Sequence, residues 1–448
     1  MGKRLFLTFL LLAGALLSQA QITTSGMSGR VTSDKEAVIG ANILVVHEPS
    51  GTRYGTITNE DGRFNIQGMR VGGPYRVEIS YIGYQSAIYK DITLQLGETY
   101  ILNVSLKEST SALNEVVVTA PRSVAKTGTN TSISARQLTT LPTIERSITD
   151  FTKLSPFAGA SSSFAGRDGR YNNITIDGAS LNNSFGLSSN NLPGGDAQPV
   201  SLDAIEEISV NVSPYDVKYS NFTGASINAV TKSGTNDFKG TAYSYIRPKS
   251  FTGNRVDGNA VANANSRHSE LYGFTLGGPI VKNKLFFFVN GELESEIQPG
   301  IPWRVSPDGV GNATQNLSRV TAADMQTMKQ FLISKYGYDP GSYDDFNNFK
   351  SDNWKLMARL DWNISQGQKF TLRLNSVKSE NDSQVNATSA PGERSSARYS
   401  VDAMAFSNSN FRYRDVVTTA TAELNSTFAS AVSFSSRALT ALSALSPG

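Results

Sequence analysis

Trp354-Lys355-Leu356-Met357-Ala358-Arg359-Leu360-Asp361-Trp362 alternates without a break. Successive side chains of a strand point to opposite sides. Trp354, Leu356, Ala358, Leu360 and Trp362 therefore share one face, and Lys355, Met357, Arg359 and Asp361 share the other. One apolar face alone would also suit a hairpin of a soluble sandwich. Tryptophans at both ends of that face, with Arg and Asp opposite, fit a lipid-facing strand between two aromatic girdles with a wet lumen behind it. After a short turn (Asn363 to Lys369), Phe370-Thr371-Leu372-Arg373-Leu374-Asn375 repeats the alternation, so the two runs are expected to pair as a hairpin.

A second hairpin precedes it: Tyr272 to Val281, a turn at Lys282-Asn283-Lys284, then Leu285-Phe286-Phe287-Phe288-Val289. Here both faces are apolar near the turn, which a girdle on one side and packing against an inner domain on the other would explain. The polar stretch Gln298 to Lys350 between the hairpins is read as a long outer loop. It carries a helix from Ala322 to Lys335, started by Thr321 and Asp324 as a capping box.

Bulk properties narrow the class. After Met1 to Ala20, no run of eighteen or more apolar residues occurs, so transmembrane helices are not expected. A chain that crosses a bilayer without them needs a β-barrel, where every backbone group finds a partner. Met1 to Ala20 itself has a basic start, an apolar run from Leu5 to Leu17 and small residues at the end, the pattern of a secretory signal peptide. The composition contains no Cys and only two His, His47 and His268. Disulfides are thus excluded and a structural zinc site is not expected. A formal net charge of +3 with the charges well mixed gives no reason to expect nucleic acid as a partner. Asp196 and Asp203 lack the alternating acidic loop of a calcium site. Arg167, Asp168 and Asp177 are charged, yet no nucleophile, base and orienting group occur together. No catalytic residue, metal or cofactor is expected, and the chain is not read as an enzyme.

Residues 21–108 read as a β-sandwich of short strands separated by turn signals such as Glu60-Asp61-Gly62 and Gly72-Gly73-Pro74. Gly29-Arg30-Val31, Thr58 to Phe64 and Tyr81-Ile82-Gly83-Tyr84 resemble the carboxypeptidase-regulatory-like domain, although no zinc-binding or catalytic arrangement accompanies them. The linker, 109–126, contains Leu113-Asn114-Glu115-Val116-Val117-Val118-Thr119-Ala120-Pro121-Arg122. β-Branched residues followed by Pro favour an extended chain suited to capture on a sheet edge. The local pattern fits a last strand of the sandwich equally well.

The order of the neighbouring regions weights the reading toward docking. Asn114, Glu115, Val116, Val117, Val118 and Thr119 resemble the TonB box of an outer-membrane TonB-dependent receptor, which implies TonB as a periplasmic partner. Residues 127–235 then resemble the plug of that family, with short helices expected at Ile133–Leu138 and Ile144–Leu154. Arg167-Asp168-Gly169-Arg170 with Ile174 to Gly178 looks like its central sheet, Ile205 to Val210 like a later strand, and Gly224 to Gly234 like the closing strand. Gly277-Gly278-Pro279-Ile280 with Lys284 to Phe288 is similar to the Oar-like subgroup. The resemblance implies a mainly β chain: an N-terminal β-sandwich, an α+β plug, then the first strands of a transmembrane antiparallel β-barrel over 236–428. It further implies outer-membrane lipid around the barrel, an extracellular ligand of unspecified class and a surface lipoprotein as a further partner. Ligand contacts are expected from Arg167, Asp168 and Arg170, and from Asn182, Asn183, Asn190 and Asn191 in the Asn/Ser/Gly-rich stretch of the plug. An adhesion or protein-export component on the same scaffold is the alternative function.

A plugged barrel of this type has about 22 strands, needing at least about 200 residues at roughly 9 to 11 per strand before loops are counted. Asn236 to Gly448 leave little room. The Ala/Ser/Leu-rich residues 429–448 show no strand alternation and are expected to be an aberrant tail on a truncated barrel.

Overall fold

The computed structural model describes residues 23–34, 36–108, 116–119, 124–125, 129–143, 146–180, 198–214, 219, 222–251, 253, 255–260, 267–299, 303–344, 348–383, 401–428 and 432–447. The chain is mainly β.

The N-terminal domain opens with β1 (Ser25–Ser33), β2 (Glu36–Ala37), β3 (Asn42–His47), β4 (Thr52–Ile57), β5 (Arg63–Met69), β6 (Gly72–Ser80), β7 (Ala87–Leu94), β8 (Thr99–Ile101) and β9 (Val104–Ser105). Two linker strands follow, β10 (Val116–Thr119) and β11 (Val124–Ala125). One sheet gathers around β1, which pairs antiparallel with β2 and β5 and parallel with β8 and β9; β11 joins it on β8. The other runs β10-β7-β6-β3-β4. Period-two alternation sends Ile43, Val45, Tyr75, Val77 and Ile79 inward, where they meet Met27, Val31 and Leu94. Each large apolar side chain fully buried in this way contributes about 1.5–3 kcal/mol.

The plug sheet contains β12 (Asn130–Ser134), β13 (Asn173–Ile176), β14 (Ala179–Ser180), β15 (Ile205–Asn211) and β16 (Ser226–Thr231), in the order β12-β15-β16-β13-β14. Both expected plug helices form: the first is shifted by two residues, as Ala135–Thr140, and the second is Ile148–Thr152, with 144–145 of its expected span outside the described residues. Ile133 lies in β12 instead of opening a helix, and Ser134, the last residue of β12, is the N-cap of the helix after it. The helices pack Leu138 and Phe151 onto Ile174, Ile205, Ile208 and Ile227.

Beyond the plug come β17 (Lys239–Arg247), a small hairpin of β18 (Arg255–Val256) and β19 (Asn259–Ala260), β20 (His268–Val281), β21 (Leu285–Pro299), and a parallel pair in the long loop, β22 (Arg304–Ser306) and β23 (Leu317–Thr321). The loop helix is Ala322–Tyr336, with the expected Thr321/Asp324 capping box and Gly337 in the left-handed conformation at its end. The wall closes with β24 (Asn348–Ser365), β25 (Gln368–Ser383), β26 (Phe411–Phe428) and β27 (Val432–Pro447). Its seven strands, β17-β20-β21-β24-β25-β26-β27, pair antiparallel with each neighbour.

Within the stretch expected to be an aberrant tail, Val432–Pro447 form β27, which pairs with β26 from Tyr413↔Pro447 to Phe428↔Val432; 429–431 and 448 lie outside the described residues. Backbone hydrogen bonds need no side-chain alternation.

The wall is inside-out relative to a soluble sheet. Asn353, Lys355, Met357, Arg359 and Asp361 are buried, whereas Leu356 and Trp362 are 48% and 41% exposed. Tyr272, Phe274, Leu276, Leu293 and Leu374 continue the exposed apolar band across neighbouring strands. The doubly apolar run near the β20–β21 turn resolves by strand parity. Phe288 enters the plug core with Met357 and Val417, and Phe286 is buried beneath Arg70 of the N-terminal domain.

Candidate functional site

The plug meets the wall through buried charge. Asp177, in the β13–β14 turn at a φ of 50°, accepts from Thr231 N at 3.0 Å and Thr231 Oγ1 at 2.6 Å. Aspartate is among the few residues that tolerate this left-handed backbone. Its carboxylate also lies 3.5 Å from Arg373 Nε and 3.8 Å from Arg359 Nη1. Arg359 donates to the Thr231 carbonyl at 2.7 Å and pairs with Asp361 at 2.8 Å, while Arg373 pairs with Glu423 at 2.7 Å. Arg70 of the N-terminal domain completes the set, 3.6 Å from Asp361. Three guanidinium groups (Arg70, Arg359, Arg373) thus face three carboxylates (Asp177, Asp361, Glu423). Buried charges persist only when neutralised in this way, since an uncompensated one costs several kcal/mol.

A second cluster holds the plug further from the short turns. Glu292 on β21 pairs with Lys355 Nζ at 2.7 Å and accepts from Ser201 Oγ at 2.7 Å and Tyr243 OH at 2.9 Å. Asn375 Nδ2 donates to the Pro199 carbonyl at 3.0 Å. The Arg146 guanidinium, paired with Asp203, lies 4.1 Å from the centre of the Tyr245 ring.

The N-terminal domain is seated at the short-turn end of the wall. Asn236 N donates to the Pro49 carbonyl at 2.8 Å, and Asn363 Nδ2 to Thr52 Oγ1 at 3.0 Å. Thr23 Oγ1 donates to Glu423 at 3.1 Å, and Arg70 Nη1 to the Gly234 carbonyl at 3.3 Å. Against the plug, Glu207 on β15 accepts from the Leu96 amide at 2.9 Å and from Ser132 Oγ. Burial pushes the Glu207 carboxyl up to about 7, against the two hydrogen bonds that pull it down. His47 is held down to about 3, by burial first and then by the charges of Arg70 and Lys369, so its ring stays neutral near pH 7. A cavity of about 400 Å³ lies where the three parts meet, with Arg70, Glu206, Lys232, Arg359, Lys369 and Glu423 among its lining residues.

Val116–Thr119 form β10, paired in parallel with Ala87–Lys90 of β7; Asn114 and Glu115 lie outside the described residues. Arg167, Asp168 and Arg170 sit exposed in a turn, where Asp168 Oδ1 accepts from Arg170 N at 2.9 Å and pairs with Arg170 Nε at 3.1 Å. This turn stands apart from the buried network, which Asp177 joins instead. Asn182, Asn183, Asn190 and Asn191 lie outside the described residues. The sequence placed Lys355, Arg359 and Asp361 on the lumen face and Arg373 in the alternating run beside them, but Arg70, Glu207, Glu292 and Glu423 and the pairings Arg373–Glu423 and Lys355–Glu292 were missed. Arginine at alternate positions of a lumen-facing strand was the available signal for the wall half of this network.

Comparison with known proteins gives the class first. Residues 26–107 match the carboxypeptidase regulatory-like domain and residues 230–308 the outer membrane beta barrel domain, so this is a β-barrel protein of the Gram-negative outer membrane with a regulatory-like N-terminal domain. The chain is homologous to TonB-dependent outer-membrane receptors. It is 27% identical over 300 residues to the TonB-dependent transporter Oar of Myxococcus xanthus, covering 62% of this chain and 27% of the relative. It is 37% identical over 130 residues to the TonB-dependent receptor SusC of Bacteroides thetaiotaomicron, covering 28% of this chain and 11% of the relative. It therefore spans about a quarter and about a tenth of the lengths of these two proteins, neither of which is an enzyme. Among solved structures, a point mutant of the ferric enterobactin receptor PfeA of Pseudomonas aeruginosa with bound enterobactin aligns at a TM-score of 0.46 and 16% identity, over 71% of this chain and 41% of that one. The siderophore receptor PirA of Acinetobacter baumannii aligns at 0.43 and 17%, over 67% and 38%.

Proposed function

We propose that the protein binds a ligand at the cell surface and passes it through the barrel with energy delivered by TonB, which engages Asn114–Thr119. The observation that carries this reading is the charge-balanced contact between the plug and the wall around Asp177, Arg359 and Arg373. A plug fixed only by apolar packing would resist any opening that exposed it to water. One held by short hydrogen bonds and ion pairs can exchange those partners for water along a hydrated path. The engaged segment is followed by β11, held on β8 of the N-terminal domain, and then by β12, the edge strand of the plug sheet, so once β11 lets go a pull along the chain loads β12 against β15 before the sheet interior. In this reading Arg167, Asp168 and Arg170, with the Asn-rich stretch containing Asn182, Asn183, Asn190 and Asn191, meet the ligand. Peptides, glycans and chelates are all compatible with these short polar groups, and no covalent step is involved.

The test uses the full chain in detergent-extracted outer membranes and the purified periplasmic domain of TonB. Capture by that domain is expected, and its loss on deletion of Asn114–Thr119. Equal capture of the deleted chain would overturn the docking role.

A further inference from the structure

The proposed docking segment is not free in this structure. Val116, Val117, Val118 and Thr119 stand opposite Ala87, Ile88, Tyr89 and Lys90, and the pairing makes β10 the edge strand of the N-terminal domain's sheet. A few residues on, β11 pairs antiparallel with β8 in the opposite sheet, Val124 facing Tyr100 and Ala125 facing Thr99. The segment is thus fastened at two points, one on each layer of the sandwich.

The receiving edge has a built limit. Asp91, directly after Lys90, has a φ of 60°, which turns β7 out of the line of a straight ladder just past the residue that faces Thr119. Without β10 the edge from Ala87 to Lys90 would present unpaired backbone groups, the usual site of unwanted strand addition. In a strand, each residue directs its N–H and C=O to one side and the next residue directs them to the other. Over four residues, half of these groups are committed to β7. Within Val116–Thr119 the outer edge then offers backbone groups from about two residues to a protein that captures the segment by strand addition. A released segment offers either edge.

We infer that the β7 edge of the N-terminal domain is a holding site for Val116–Thr119, and that TonB engages the segment only after it leaves β7. This rests on the docking role proposed above. The apparent affinity for TonB is then the intrinsic one scaled by the fraction of chains in which β10 is released. The carboxypeptidase regulatory-like domain acts in this account as a regulator of access to the docking segment.

The chain has no cysteine, so an introduced pair reports alone. Lys90 is exposed and stands opposite Thr119. Neighbouring residues at this spacing, with Cβ atoms about 5 Å apart, come within reach of a disulfide after small adjustment. The full chain carrying Lys90→Cys and Thr119→Cys is oxidised in isolated outer membranes, then solubilised and tested for capture by the periplasmic domain of TonB. A pair of Arg53→Cys with Thr119→Cys, on the opposite edge strand of the same sheet, serves as the control. The expected result is a cross-link in the first pair and none in the control. Capture of the cross-linked chain falls by at least roughly tenfold, as a released fraction driven toward zero requires, and reduction restores it. Absence of the cross-link, or undiminished capture of cross-linked chains, overturns the proposal. If the cross-link forms but neither reduced nor wild-type protein is captured, the docking role fails, and the inference falls with it while the strand pairing stands.

Discussion

Glu207 shows how one residue couples two domains. It belongs to the plug, but one of its hydrogen bonds comes from the Leu96 amide of the N-terminal domain and another from Ser132 on the neighbouring plug strand. Burial raises its carboxyl from an ordinary 4.5 to about 7. A carboxyl whose folded value exceeds its unfolded value binds its proton more tightly when folded. Its contribution is therefore complete below about pH 4.5 and is lost as the pH rises through about 7. The contact between the N-terminal domain and the plug is expected to loosen over that window. Hydrogen exchange at Leu96, corrected for the intrinsic rate, should show greater protection at pH 5 than at pH 8. Glu207→Gln should leave only the dependence that Glu206, also raised by burial, supplies. Equal protection of the wild type at the two pH values would contradict this. His47 is the tempting alternative sensor, but its ring is already neutral throughout the window. Arg70 was not legible in the sequence: its partner Asp361 lies far along the chain, and a lone Arg in a turn between two strands of a small domain carries no pattern. Asp177 appeared in the sequence as part of an Asp-Gly turn, and only the register of β13 with β16 reveals that it faces Thr231 and the wall arginines.

At the level of the element, β24 is where sequence and structure agree most closely. Its alternation needs no long-range information: period two and the two tryptophans set the faces, and the burial of Lys355, Arg359 and Asp361 follows. Eight residues separate Trp354 from Trp362, roughly 27 Å along an antiparallel strand, or about 20 Å of height at the tilt of a barrel wall, comparable with an apolar band of about 25 Å. Ala358 lies midway on the outward face. Ala358→Arg should cost about 2–4 kcal/mol, the range for a cation at the bilayer midplane, measured as a lowered denaturant midpoint for folding into lipid vesicles. A shift under about 0.5 kcal/mol, the usual size for a water-facing surface position, would contradict a lipid face there. Two other elements were hidden for opposite reasons. The sequence of β27 is rich in Ala, Ser and Leu and shows no apolar–polar alternation. β1 reads as a weak strand, Ser-Gly-Met-Ser-Gly-Arg-Val-Thr-Ser, yet it lies at the centre of its sheet. Gly29 is required there, since a Cβ would lie 1.8 Å from the Leu102 carbonyl oxygen. The feature that weakens the local signal is the one that allows the close pairing.

At the scale of the whole molecule, three parts stack along one direction: the N-terminal domain at the short turns, the plug against the polar face of the wall, and the long loops at the far end. The seven strands cover only part of the circumference of a barrel of about 22 strands. The order of the parts was readable because each has its own composition, whereas the seating of the N-terminal domain was not, because it rests on contacts between loops. Short turns face the periplasm and long loops the exterior in barrels of this type, which fixes an orientation that can be read directly. With no natural cysteine, single replacements can be labelled by a membrane-impermeant maleimide on intact cells. Met328 lies exposed on the loop helix and Glu60 lies exposed in a turn of the N-terminal domain. Met328→Cys should be labelled on intact cells, and Glu60→Cys only after the outer membrane is permeabilised. Labelling of Glu60→Cys on intact cells, or protection of Met328→Cys until permeabilisation, would contradict a wall that spans the outer membrane with its docking domain inside.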